Sequence, residues 1–326
     1  YITYLYDAKL LTPCTCFLCI HSVILQYYQK NEFMKNRICI WLVNLLLRKK
    51  RMTLNEIQEE WRAHNADYDI TLHRNTFMSY KRTAEEMFDI NINCDRSTNE
   101  YYIEYPEEIS NSPINQWIIR TTSSADVISR HKRLANRIIL ESTFGGEEHL
   151  DAITDSMTHG KCVDIVYHSY WMEAQNFTVE PYFIKFFRQR WYLIGHCHER
   201  NALRVYSLDR MDSATISDKS FTMKDKNYPQ VLYNDNFGII HGEENTKAQD
   251  ILLKFTTKQG QYIQTRPLHH TQEVISKDET HIIFKMHMKV TLDLIQELLS
   301  YGSSLQVLSP DCLINEIRKT INEMND

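Results

Sequence analysis

Residues 190–211 read RWYLIGHCHERNALRVYSLDRM, and this stretch decides how the chain folds. Arg190–His196 and Leu203–Leu208 are short runs of β-branched, aromatic and apolar residues set between polar ones, which is the pattern of strands. Working outward, Cys162–His168 and Phe177–Ile184 precede them and Asp212–Ile216 follows, each run of the same kind. Five short strands with short connections suit a small barrel. Upstream the pattern is helical, from about Pro113 to Ile138 and again from Glu147 to His159.

Downstream, strand-like Ile251–Phe255 leads to a helix around Gln259–Arg266, then strands at Glu273–Ser276 and His281–Val290. A helix over Thr291–Tyr301 is stopped by Gly302, a residue suited to the left-handed position past a helix end. A strand at Leu305–Leu308 and a last helix, with Ser309 as N-cap and Pro310 at its first position, complete a βαββαβ order, the ferredoxin-like pattern.

Before the strands lies a module of another character. Ile38, Leu42, Leu45 and Leu46 recur at helical spacing, and the basic run Arg48-Lys49-Lys50-Arg51 closes that helix beside the negative end of its dipole. Thr53-Leu54-Asn55-Glu56 is a capping box that opens a second helix with Leu54, Ile57 and Trp61 on its inner face. A third helix begins near Leu72-His73 and buries Phe77, Ala84, Met87 and Phe88. Ile90–Cys94 and Tyr101–Glu104 flank the turn-prone Asp95–Asn99 and form a hairpin. Three helices and a hairpin is the winged helix-turn-helix order, in which the third helix enters the major groove of DNA. His73, Arg74, Asn75, Ser79 and Arg82 are then its exposed reading positions, Thr76 is placed to donate to a phosphate, and Lys50 contacts the backbone.

Charge supports that placement. The 326 residues carry 37 Lys and Arg against 42 Asp and Glu, a formal charge of −5. Between Lys35 and Arg82 the balance reverses, with ten basic residues against five acidic ones. A basic module on an acidic body is the footprint of one nucleic-acid-binding face. Only eight glycines are present, and none is arranged as G-x-G-x-x-G, G-x-x-x-x-G-K-[ST] or G-x-S-x-G. That excludes a dinucleotide fingerprint, a P-loop and a hydrolase elbow, all of which need glycine where backbone meets phosphate or turns sharply. No H-E-x-x-H helix, carboxylate pair or Ser/Cys–His constellation stands out as catalytic.

Four elements in order carry a family resemblance. Tyr167 ends the first strand, Val179-Glu180-Pro181-Tyr182 supplies a V-x-P-x element, and Arg190–Ile194 contains Trp-Tyr-Leu. Arg204–Met211 resembles the R-x-[FY]-x-L-D-R-[IM] strand that follows. Together they resemble WYL-domain transcriptional regulators. The resemblance extends over nearly the whole chain from Met34 and implies a winged helix, a WYL domain of Sm-like barrel fold and a C-terminal extension called WCX. It also implies an effector pocket formed by Tyr167, Tyr192, Arg204 and Arg210. Alternation puts Arg204, Tyr206, Leu208 and Arg210 on one strand face, and arginine forks suit phosphate. At Ser207 many family members carry another arginine, so this chain has two where they have three.

The fold expected is therefore α+β and multidomain: a leader over 1–33, a winged helix-turn-helix DNA-binding domain over 34–107, a helical linker over 108–160, a Sm-like WYL barrel over 161–220, a connector over 221–248 and a ferredoxin-like WCX extension over 249–326. Residues 1–33 break with the rest in composition, and they are expected to be unstructured or non-native and dispensable. The competing reading is a weak anchor, because residues 10–28 carry no charge. Cys14, Cys16 and Cys19 have no partner pair at zinc spacing, and the other cysteines are scattered, as in a reduced cytoplasmic protein. His196-Cys197-His198 has metal-ligand composition, but alternation turns Cys197 away from both histidines, and no acid or thiol cluster is recognisable nearby. No metal or cofactor is expected. The function expected is a homodimeric regulator that binds a double-stranded DNA operator without contacting membrane, under an anionic effector such as single-stranded nucleic acid or a nucleotide. The alternative is a nucleic-acid- or nucleotide-processing enzyme with a helical adaptor.

Overall fold

The computed structural model describes residues 35–65, 71–142, 144–223, 228–241 and 246–325, so the leader lies outside the described residues. The chain divides into two compact units between Leu140 and Glu141.

In the first unit, helix α1 spans residues 35–49 and is followed by β1 (Arg51–Thr53), α2 (Leu54–His64), α3 (Arg74–Phe88), β2 (Ile92–Asp95), β3 (Glu100–Ile103), α4 (Pro106–Asn111) and α5 (Pro113–Arg130). The periodic apolar residues of α1 are all buried, and so are Ile57 and Trp61 of α2 and Phe77, Ala84 and Phe88 of α3. The capping box is formed: the Glu56 N–H donates to Thr53 Oγ1 at 3.3 Å, and the Thr53 N–H donates to the Glu56 carboxylate at 2.7 Å. Asp95 ties the hairpin turn by accepting the Ser97 N–H at 2.9 Å, and Asn99 takes the left-handed conformation at φ 58°. Helix α3 starts at Arg74, with His73 as N-cap, slightly later than the sequence pattern suggests. Strand β1 is an addition to the expected order. It pairs antiparallel with β3 and makes a three-stranded sheet β1-β3-β2.

In the second unit, α6 (Leu150–Thr158) leads into β4 (Lys161–Tyr167), β5 (Gln175–Phe187), β6 (Arg190–Cys197), β7 (Ala202–Ser207) and β8 (Met211–Ser220). All five strands join one antiparallel sheet in the order β7-β6-β5-β4-β8, so the last strand returns to the first. Its core is Val163, Ile165, Tyr167, Val179, Leu193, Cys197, Tyr206 and Leu208, covered by Ile153 of α6. The boundary thus divides the stretch expected as one linker: Ile119 of α5 joins the first core and Ile153 of α6 joins this one. Gly195 is required where β6 meets β5, since a Cβ there would lie 2.1 Å from the Glu180 carbonyl oxygen.

A short helix, α7 (Tyr228–Tyr233), precedes β9 (Gln249–Thr256), α8 (Thr257–Thr265), β10 (Glu273–Lys277), β11 (His281–Met288), α9 (Leu292–Leu299), β12 (Leu305–Ser309) and α10 (Asp311–Glu323). The strands form an antiparallel sheet in the order β10-β11-β9-β12. Ile251, Leu253 and Phe255 alternate into its core with Ile282, Phe284, Met286 and Met288 from the neighbouring strand. Helix α10 begins one residue later than the sequence suggests, with Pro310 rather than Ser309 at the N-cap.

Candidate functional site

Two surfaces gather the residues singled out from the sequence, one in each unit. On the first, His73, Arg74, Asn75, Ser79 and Arg82 all stand exposed on α3 or at its N-cap, while Thr76 is half-buried. The period explains this: Phe77, Ala84 and Phe88 turn inward, and the other face is left to solvent. Neighbouring cations are not equivalent. Lys81 meets Glu85 at 2.7 Å, Lys49 meets Glu60 at 3.1 Å, and Arg51 meets Asp95 at 3.3 Å. Arg74 and Arg82 have no acidic partner among the described residues, and neither does Lys50. Lys50 ends α1 in the left-handed conformation, φ 69°, its N–H donating to the Leu46 carbonyl at 2.8 Å.

The second surface lies on the five-stranded sheet. Tyr167, Gln175, Phe177, Arg200, Arg204 and Tyr206 line a hollow of about 200 Å³. Tyr167 packs edge-on against Tyr206, ring centres 5.0 Å apart, and both rings are buried. Burial pushes the Tyr167 hydroxyl above its ordinary pKa, and the Arg210 guanidinium pulls it back. Arg200, not singled out from the sequence, hydrogen-bonds Gln175 at 3.0 Å and sits 5.5 Å from the Phe177 ring centre. It comes from the turn between β6 and β7, where no periodicity marks a residue for a site.

Arg210 does not share a strand face with Arg204, contrary to the alternation read from the sequence. Strand β7 ends at Ser207, whose hydroxyl donates to Asp209, and Leu208–Arg210 form a 3-10 turn. The chain then enters β8, and pairing of Met211 with Tyr167 brings Arg210 to the tyrosine from another direction. Its guanidinium lies 5.2 Å from the Tyr167 ring centre and 4.8 Å from that of Tyr170. The buried Arg210 Nε has no hydrogen-bond partner. Asp209 pairs instead with Arg190 at 3.6 Å, and Arg190 also lies 3.9 Å from the Phe144 ring centre. Tyr192 is buried away from the hollow; burial raises its pKa, and Arg190 opposes that rise most strongly. The structure therefore brings Tyr167 and Arg204 together in one hollow and sets Tyr192 and Arg210 beside Asp209 and Arg190. Tyr167 is common to both groups. Next to it, Tyr170 is 69% and Trp171 90% exposed, so a strongly aromatic loop borders the hollow.

Residues 148–216 match the WYL domain family and residues 247–324 the WCX domain family, so the chain carries both domains. Among curated proteins no sequence matches it. Of solved structures, proteasome accessory factor B/C (PafBC) of Arthrobacter aurescens is similar at 20% identity, over 65% of this chain and 31% of that one, with a TM-score of 0.25. A CRISPR Cas-related protein is similar at 12% identity, over 56% of this chain and 52% of that one, with a TM-score of 0.33. The chain spans about a third of the first structure's length and about half of the second's. Among the described residues, no helix is long and apolar enough to cross a membrane.

Proposed function

We propose that this chain, with its WYL and WCX domains, is a ligand-responsive DNA-binding transcription regulator that acts as a homodimer. The observation that carries the reading is the exposed face of α3, where Arg74 and Arg82 stand beside Asn75 and Ser79 with no acidic partner. Lys49 and Lys81 nearby are neutralised by carboxylates, whereas Arg74 and Arg82, on the helix expected to enter DNA, are not. The order of α1 to α3 with a three-stranded sheet supports a winged helix-turn-helix over 34–107. A meander closed by β8 on β4 supports the Sm-like reading of the WYL region, and β10-β11-β9-β12 supports the ferredoxin-like reading of the extension.

In this reading an anionic effector, a single-stranded nucleic acid or nucleotide, binds at Tyr167 between Arg204 on one side and Arg210 on the other. The buried Arg210 Nε is a donor still lacking an acceptor, and a phosphate oxygen would supply one. Binding changes operator affinity only if the effector prefers one of the two DNA-binding states. The test is fluorescence anisotropy of full-length protein on fragments selected from the source genome, with and without a short oligonucleotide. The Arg204→Gln/Arg210→Gln variant is expected to keep basal operator binding and lose the oligonucleotide-dependent change. Parent-like response in that variant overturns the effector site. Unchanged operator affinity in a folded Arg74→Ala/Arg82→Ala variant overturns the DNA-binding face.

A further inference from the structure

We propose that Glu180, His196 and His198 form a binding site for one divalent ion of the zinc type, independent of the DNA and effector surfaces. Their ligand atoms all lie within 4.8 Å of one another. Strand pairing makes the cluster: β5 and β6 align Glu180 directly opposite His196, and the His198 N–H continues the ladder by donating to the Thr178 carbonyl at 3.0 Å. His196 and His198 are two residues apart and share a face, while Cys197 between them points into the core with Val179. The close approach that Gly195 permits beside the Glu180 carbonyl holds the two strands together at this point.

The chemistry of the cluster is selective. Two imidazoles and a carboxylate are a common donor set for zinc, leaving a fourth position for water or another ligand. Glu180 Oε1 is 3.1 Å from His198 Nε2, and Glu180 Oε2 accepts the Tyr182 hydroxyl at 2.9 Å, so a second residue already orients the carboxylate. The His196 ring has no hydrogen-bond partner among the described residues. The neighbouring acid, Glu199, is engaged elsewhere: its two oxygens accept the Thr178 N–H at 3.0 and 2.9 Å. An ion with bonds of about 2.1 Å draws its ligands to roughly 3.4 Å apart, so the ligand atoms must close in on one another by about 1 Å. Such an ion would clamp β5 to β6 at the end of the sheet where pairing stops.

The experiment is a zinc titration of the full-length protein, stripped with chelator, against a chromophoric competitor, followed by cobalt substitution. The expected result is one ion per chain and a cobalt spectrum of nitrogen and oxygen ligation. Glu180→Gln and His198→Asn should each weaken binding at least about 100-fold, and Tyr182→Phe, which removes only the orienting hydroxyl, about 10-fold. Circular dichroism checks that each variant is folded, and Tyr182→Phe keeps every ligand if one of the others is not. Absence of a bound ion overturns the proposal. So does an intense thiolate charge-transfer band, which would put the ion on Cys14, Cys16 and Cys19, or parent-like affinity in the Glu180→Gln/His198→Asn variant.

Discussion

Asp126 in the helical unit is buried and Arg210, in the turn before β8, is half-buried with its Nε out of water, and their surroundings answer these charges in opposite ways. Asp126 is 8% exposed and has three basic neighbours: Arg37 ion-pairs with Oδ1, the His64 ring reaches Oδ2 at 2.9 Å, and Arg130 donates to Oδ2 at 3.2 Å. These contacts tie α1, α2 and α5 together through a single carboxylate. Arg210 has two tyrosine faces and no ion-pair partner among the described residues, and its chain neighbour Asp209 pairs with Arg190. A buried charge ringed by basic groups is a structural joint, even where, as at Asp126 Oδ1, an ion pair stands in for a hydrogen bond. One left short of a partner is a place where a ligand can supply the missing charge.

The largest effect expected is at Asp126. Asp126→Ala leaves two guanidinium groups and an imidazole around an emptied pocket, and removing one member of a buried ion pair costs about 3–5 kcal/mol. Urea unfolding should show that loss, and a change under about 1 kcal/mol would mean that the groups left behind hydrate easily and the joint is not one. Next comes the exposed pair on α3, which belongs to neither class. Arg74→Ala should weaken operator binding by about 1–3 kcal/mol if the guanidinium reads a base edge, with little change in stability. Lys50→Gly should lower affinity alike on all sequences and reduce the salt slope by about one, while easing the left-handed backbone at φ 69°. Anisotropy titrations at several salt concentrations separate the two, and equal salt slopes for both variants would remove the distinction.

The unequal legibility of these sites has a physical origin. The helices were readable because a 3.6-residue period is local: Ile38, Leu42, Leu45 and Leu46 point one way wherever the chain goes, and Thr53 with Glu56 marks a start within one turn. The exposed face of α3 follows from the same arithmetic. Strand β1 is not legible in the sequence because three residues cannot display alternation and its partner β3 lies about 50 residues later. The position of Arg210 is hidden for a related reason. Extending the alternation of β7 past Ser207 assumes a straight strand, and the turn at Leu208–Arg210 depends on where β8 must join β4. Glu180 was invisible beside His196 and His198 because only the register of β5 on β6 brings it there.

At Arg210 the stability effect should be smaller. Replacing a buried charge by an apolar chain of similar length is often neutral or better, so Arg210→Met should change stability by no more than about 1 kcal/mol while abolishing the effector response. A loss as large as that of Asp126→Ala would show Arg210 to be a joint of the same kind, and the contrast would collapse.

The smallest effect concerns how the Asp126 site answers to pH. Burial, assisted by the Arg130 guanidinium, holds the His64 imidazole below its ordinary value of 6.5, although Asp126 pulls the other way. The unfolded chain therefore takes up this proton at higher pH than the folded one. Wherever the unfolded state binds more protons, stability falls as pH drops, so the contribution is whole above about 6.5 and is lost progressively below it. Other groups titrate over the same range, and only the difference from a variant isolates this one. His64→Gln keeps a donor within reach of Asp126 and removes the titration, so its urea midpoint should fall less between pH 7 and pH 5 than the parent's. Parallel slopes would mean that the Asp126 carboxylate fully offsets burial and the two guanidinium groups. A parent that gains stability on acidification would mean that it outweighs them, and the ring would then be a fourth charge at the joint rather than a neutral spacer within it.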